Sequence, residues 1–81
     1  METKEEILQA MIKRIAQLLE KSEAELSADT SFESLQMKSV NYSQLTTYLE
    51  DACDVEIPYM DFKRKKTLGE AADYIVSLIE G

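Results

Sequence analysis

Apolar residues recur at helical spacing in three separate stretches of the chain, and the intervals between them follow no sustained period. The first stretch sets Ile7, Leu8, Met11, Ile12, Ile15, Leu18 and Leu19 three and four residues apart. That spacing makes one stripe of a helix, with Glu5, Gln9, Lys13, Arg14 and Gln17 largely outside it. Thr3 followed by Glu6 matches a capping box at its start, and Lys21 is a favourable charge where the helix fades.

A second helix is predicted from Ser39 or Val40 to about Cys53. Its buried stripe reads as Leu45, Tyr48, Leu49, Ala52 and Cys53, with Val40 at its start. Asn41, Gln44, Thr47, Glu50 and Asp51 fall on the outer face. Pro58 pushes the residue before it towards an extended backbone, so Ile57 reads as a non-helical anchor. Residues 59–65 have room for one short helix that turns Tyr59, Met60 or Phe62 inward. Thr67 and Glu70 repeat the capping-box pattern before a last helix striped with Leu68, Ala71, Ala72, Ile75, Val76, Leu78 and Ile79, and Gly81 suits its end.

Residues 22–38 are different. Ser27-Ala28-Asp29-Thr30-Ser31 has the composition of a turn-forming loop. Leu26, Phe32, Leu35 and Met37 are nevertheless too many apolar groups for a free linker. An ordered loop pinned to the core by those four side chains is expected, and a long loop in a small domain tends to be functional. With no strand signal, the fold class is all-α. It should be a small bundle of three main helices plus one short helix, with the long ordered loop between the first and second.

At 81 residues, the whole of 1–81 reads as a single domain. A chain of that size buries only about 60% of its unfolded surface, which leaves little interior space for a pocket. The net charge of −7 argues against nucleic-acid binding and favours basic partners. One cysteine and no histidine exclude an internal disulfide and almost any zinc or copper site held by side chains. Cys53 lies on a buried stripe and reads as a small core hydrophobe. Asp51, Asp54 and Glu56 lack the spacing of a calcium loop. No 18-residue apolar run and no signal-peptide pattern is present, so a cytoplasmic protein without membrane insertion is expected. Met1 and Gly81 at the two ends suggest a free-standing protein.

The candidate chemistry centres on Leu35-Gln36-Met37-Lys38-Ser39-Val40, where the long loop ends and the second helix opens. Ser39 sits at the junction. Read alone, it is a helix N-cap that contributes stability and nothing more. Read as a nucleophile it lacks a base, because there is no histidine and a lone neighbouring lysine does not ordinarily serve as one. An enzyme is therefore not expected.

The stretch from Asp29 through Phe32, Leu35 and Ser39 to Val40 resembles the D-x-x-F-x-x-L-G-x-D-S-L signature of acyl carrier proteins. Leu45, Leu49, Ile57-Pro58, Thr67-Leu68 and Tyr74-Ile75 fall on that family's framework positions, so the resemblance spans nearly the whole chain. It implies a carrier in which Ser39 receives a covalent 4′-phosphopantetheine arm from coenzyme A. A phosphopantetheinyl transferase would attach the arm, and its thiol would then hold acyl groups as thioesters. The implied partners are that transferase and acyl-processing enzymes such as a ketosynthase or acyltransferase, and monomer is the family default. Partner recognition is assigned to Met37, Lys38, Val40, Asn41, Gln44, Glu50 and Asp51. Leu45, Leu49, Met60, Leu68, Ile75 and nearby side chains form the expected wall for a sheltered acyl chain, of short or medium length only.

Three positions depart from the signature: Gln36 replaces glycine, Lys38 replaces aspartate and Val40 replaces leucine. Gln36 weakens the expectation of a positive-φ turn. Lys38 reverses the charge that such carriers present to their enzymes, and like-charge juxtaposition excludes partners. Asn41 and Gln44 stand where carriers of primary fatty-acid synthesis show acids, and Lys63, Arg64, Lys65 and Lys66 form a basic block. That block reads either as a solvated surface or as a docking site for an acidic partner. These departures point to a specialised fatty-acid or polyketide-type pathway. The alternative is a carrier-like helical adaptor that binds partner proteins without an arm.

Overall fold

The computed structural model describes residues 3–81, and among them the chain is helical with no strand. The three long helices are α1 (Lys4–Leu19), α3 (Ser39–Cys53) and α5 (Leu68–Glu80), as their periodicities predict. Two short helices, α2 (Phe32–Leu35) and α4 (Tyr59–Lys63), and a 3₁₀ turn (Glu23–Glu25) fill the intervals.

Thr3 caps α1 with a complete box: Glu6 donates its N–H to Thr3 Oγ1 at 3.2 Å, and Thr3 donates its own N–H to Glu6 Oε1 at 3.3 Å. The helix stops two residues short of Lys21. Glu20 turns left-handed at φ 54°, and Lys21 N–H closes the end on Ala16 O at 3.0 Å. At α5, Thr67 Oγ1 accepts Glu70 N–H at 3.1 Å, so the second predicted cap forms.

α1 packs against both α3 and α5, and α4 packs against α3. Ile7, Met11 and Ile15 meet Leu45, Leu49, Leu68 and Ile75 in a core where all are fully buried. Deleting any one of these side chains costs about 2–5 kcal/mol, a large fraction of what holds a small domain together.

The stripe predicted for α3 needs correction. Its buried residues are Tyr42, Leu45, Thr46 and Leu49, while Tyr48, Ala52 and Cys53 are only half-buried and Val40 is 58% exposed. Val40 lies two residues before Tyr42, about 200° around the helix, and so points away from the core. The same arithmetic decides among the three residues offered for the inner face of α4. Phe62 is the fully buried residue and Met60, two positions earlier, is 61% exposed. Thr46 enters the core because its hydroxyl donates to Tyr42 O at 3.0 Å. Ile57 is buried between α3 and α4, as the proline after it required.

The long loop is more structured than its lack of period implied. Ser22 and Glu25 cap the 3₁₀ turn, Thr30 Oγ1 accepts Ser27 N–H at 2.9 Å, and Ser31 Oγ accepts Ser34 N–H at 3.1 Å to cap α2. Three backbone bonds then tie the loop to the start of α5: Phe32 N–H to Lys66 O at 2.9 Å, Leu68 N–H to Thr30 O at 3.0 Å, and Gly69 N–H to Ala28 O at 2.9 Å. Gly69 permits the last of these. A Cβ there would stand 3.0 Å from Ala28 O and 3.2 Å from Ala28 Cβ.

Gly69→Ala should therefore destabilise the fold by about 1–2 kcal/mol, because overpacking against backbone outweighs the helix propensity gained. Urea unfolding measures this directly, and an unchanged or raised midpoint would show that the loop yields freely.

Candidate functional site

The loop delivers the chain to α3 through one sharp turn. α2 ends on Gln36, which adopts the left-handed conformation at φ 53°. The positive-φ turn thus forms without glycine, contrary to the sequence expectation. Its cost is borne by the contacts on either side, with Leu35 buried before it and Met37 half-buried against the core after it.

Lys38, not Ser39, is the N-cap residue, with an extended backbone at φ −88° and ψ 165°. A lysine side chain has no acceptor, so it cannot cap the helix. Asn41 makes the one capping bond instead, its Oδ1 accepting Lys38 N–H at 3.0 Å. Sequence reasoning placed Asn41 on a recognition face and missed this bond. The signal was present, since Asn41 lies three residues after the cap position.

Ser39 is the first helical residue and is exposed. Among the described residues its Oγ makes no hydrogen bond, so the hydroxyl is not consumed as a cap. Asn41 and Tyr42 N–H both reach Lys38 O, at 2.9 and 3.1 Å. Ser39 and Val40, as the first two helical residues, have amides with no acceptor inside the helix. A phosphodiester on Ser39 Oγ would lie beside those donors and the positive end of the helix dipole. The residues present fit that group.

Lys38, Ser39, Val40, Asn41 and Gln44 gather on the opening turns of α3, with Met37 just before them. Glu50 and Asp51 do not join them, since eleven residues of helix put Glu50 roughly 16 Å from Ser39 along the axis. Glu50 is also engaged elsewhere: its Oε2 accepts Ile57 N–H at 2.9 Å and so anchors the connection to α4.

Tyr59 and Lys63 come to the site from α4, which the sequence did not announce. Tyr59 OH donates to Ser39 O at 3.4 Å, a contact across twenty residues. Lys63 Nζ lies 5.9 Å from the ring centroids of both Tyr42 and Tyr59. Burial, with a smaller contribution from Tyr59, pushes the Tyr42 phenol above its ordinary pKa, so it stays neutral and serves as packing. Burial also pushes up the Cys53 thiol, consistent with a core cysteine rather than a reactive one.

The expected acyl-chain wall is closed. Leu45, Leu49, Leu68 and Ile75 have no exposed surface, so no water-sized space lies beside them, and Met60 faces outward.

A family model described as "Phosphopantetheine attachment site" matches residues 9–75. The acyl carrier protein of Rubrobacter xylanophilus is 36% identical over 74 residues, covering 90% of this chain and 91% of that protein. The chain belongs to the acyl carrier protein family. The acyl carrier protein of Lactobacillus johnsonii is 32% identical over 76 residues, covering 93% of this chain and 95% of that protein. The fold also matches the NMR structure of the HMG-ACPI domain from the CurA module of Lyngbya majuscula. That match has a TM-score of 0.80 at 23% identity and covers 95% of this chain and 78% of that one. Acyl carrier proteins carry and do not catalyse, and this carrier's prosthetic group is a covalent 4′-phosphopantetheine.

The carboxylate of Glu50 supports the site at a distance by fixing how α4 meets α3. Glu50→Ala should cost about 1.5–3 kcal/mol, since it orphans a partly buried N–H bonded to a charged acceptor. Glu50→Gln, which keeps an acceptor, should recover part of that loss. Thermal denaturation of both variants checks the pair, and equal losses would exclude the hydrogen bond as the cause.

Proposed function

We propose that Ser39 is the attachment point of the arm and that residues 1–81 act as one carrier domain. When bound, the arm supplies a thiol that holds acyl groups as thioesters. The chain's own residues position and present it. α3 leaves the hydroxyl exposed, the amides of Ser39 and Val40, without an acceptor inside the helix, would face the phosphate, and the buried side of the same helix keeps the corner rigid. The observation that carries this reading is the exposed Ser39 Oγ, left without a partner among the described residues. A cap serine would have that oxygen tied to a backbone N–H.

We further propose a specialised fatty-acid or polyketide-type pathway, served by a phosphopantetheinyl transferase and by acyl-processing enzymes such as a ketosynthase or acyltransferase. Support comes from Lys38 beside Ser39 and from the neutral Asn41 and Gln44, which remove the negative face expected of a primary fatty-acid carrier. A cytoplasmic monomer suits such a carrier. Among the described residues no helix is long and apolar enough to cross a membrane. The adaptor reading draws on the same lysine, since a reversed charge beside the serine is one way to refuse a transferase.

Co-expression with a broad-specificity transferase, followed by intact-mass spectrometry, separates the two. A gain equal to one phosphopantetheine group is expected, and Ser39→Ala should abolish it. The added thiol should react with iodoacetamide at neutral pH while Cys53, with its raised pKa, stays slow. Unmodified wild-type protein under conditions that load a control carrier would assign the chain to the adaptors.

A further inference from the structure

The charges of this protein are segregated around Ser39. Its sixteen acids outnumber its nine basic residues, yet between Glu33 and Glu50 the only charged side chain is Lys38. The exposed first three turns of α3 are thus uncharged apart from the cap. α4 brings one more positive charge, Lys63, to the same corner. Tyr59 OH reaches Ser39 O at 3.4 Å, and Lys63 sits 5.9 Å from the rings of Tyr59 and of Tyr42, one turn beyond Ser39. Lys63, Lys65 and Lys66 then line an open hollow of about 490 Å³ floored by Phe32 and Tyr42, with Glu33 the only acid on its rim. Asp61, the acid of α4, accepts a hydrogen bond from Tyr74 OH at 3.4 Å. Five of the nine basic residues therefore belong to Lys38 and the 63–66 block. Among the described residues the large apolar side chains that stand exposed are Val40 and Met60, which belong to α3 and α4, the two helices that meet at Ser39.

We propose that enzymes acting on this carrier dock on that face and present an acidic rim, with apolar recesses for Val40 and Met60, around the entrance that takes the arm. The proposal rests on Ser39 being the attachment point, because whatever receives the arm must approach the residues that surround it. Charge complementarity selects the partner: opposite potentials steer the encounter and like potentials suppress it. A polyanion such as a nucleic acid or an anionic membrane fits less well, because the remaining surface of a chain with net charge −7 repels it.

The test uses a broad-specificity phosphopantetheinyl transferase with a basic docking surface, and a form of it whose docking lysines and arginines are reversed to Glu. Loading is followed as kcat and KM across a range of NaCl. With the basic form, wild-type loading should improve as salt screens repulsion, and Lys38→Glu/Lys63→Glu/Lys66→Glu should lower KM about tenfold at low salt with kcat little changed. With the acidic form, wild type should be the better substrate and the triple variant the poorer. Lys13→Glu, on the exposed face of α1, should change neither. All three lysines of the triple variant are exposed, and circular dichroism checks that it folds. Wild-type loading that weakens with salt on the basic form, or a KM indifferent to the triple reversal, overturns the proposal while leaving the attachment intact. So does phosphatidylglycerol-vesicle binding that the triple reversal abolishes without altering loading. No mass gain on wild type with either transferase removes the attachment reading, and this proposal with it.

Discussion

Phe32 is the contact on which the presentation of Ser39 depends. Its ring lies 5.5 Å from Tyr42 and 5.9 Å from Phe62, so one side chain from the loop joins the start of α3 to α4. Aromatic pairs of this kind add about 0.5–1.5 kcal/mol each beyond the area they bury. The backbone of Phe32 is held as well, through its N–H to Lys66 O at 2.9 Å. The Ser39 hydroxyl is exposed and without a hydrogen-bond partner among the described residues, so it does not hold its own place. Its position is inherited from Tyr42, three residues on, and from what Tyr42 packs against.

The same logic explains how the turn before Ser39 tolerates its unusual residues. A left-handed glutamine is strained by about a kcal/mol relative to glycine. Leu35 buried on one side and Met37 half-buried on the other leave the backbone no other route. The cap is equally makeshift. Lysine supplies no acceptor, and the bond comes from Asn41 reaching back. The departures at Gln36 and Lys38 are thus repaired locally, so the geometry survives while the chemistry presented to solvent changes.

Most of the architecture was legible from spacing alone. α1 and α5 matched because their stripes are long and their caps are side chains that sequence shows directly. α3 was located correctly, but its inner face was misread by Val40. That residue is apolar, and one helical face cannot be told from its neighbour when Tyr42 and Thr46 are amphipathic enough to lie on either. Residues 22–38 gave no period because their structure rests on serine and threonine hydroxyls and on three backbone bonds to α5, which have no repeating signature. Ser39 was singled out through the resemblance rather than through periodicity, and the structure shows it exposed at the start of α3. Tyr59 and Lys63 were invisible for a different reason: only the folded chain brings a residue twenty positions away against Ser39.

Closed core and altered face together limit what this carrier can use for recognition. Leu45, Leu49, Leu68 and Ile75 leave no space beside them, so an acyl chain enters only if helices move apart, at a cost set by the packing it disrupts. Burying the tail returns about 0.8 kcal/mol per CH₂, so the gain that can offset this cost grows with the length of the chain. What the closed bundle offers a partner is its surface, including the residues around Ser39. On that surface, positive charge and two exposed apolar side chains replace the acids of the family pattern. Specificity written there acts on encounter before the arm is engaged. A change of sign at Lys38, with Lys63 of α4 near it, alters the charge offered at encounter without altering the fold.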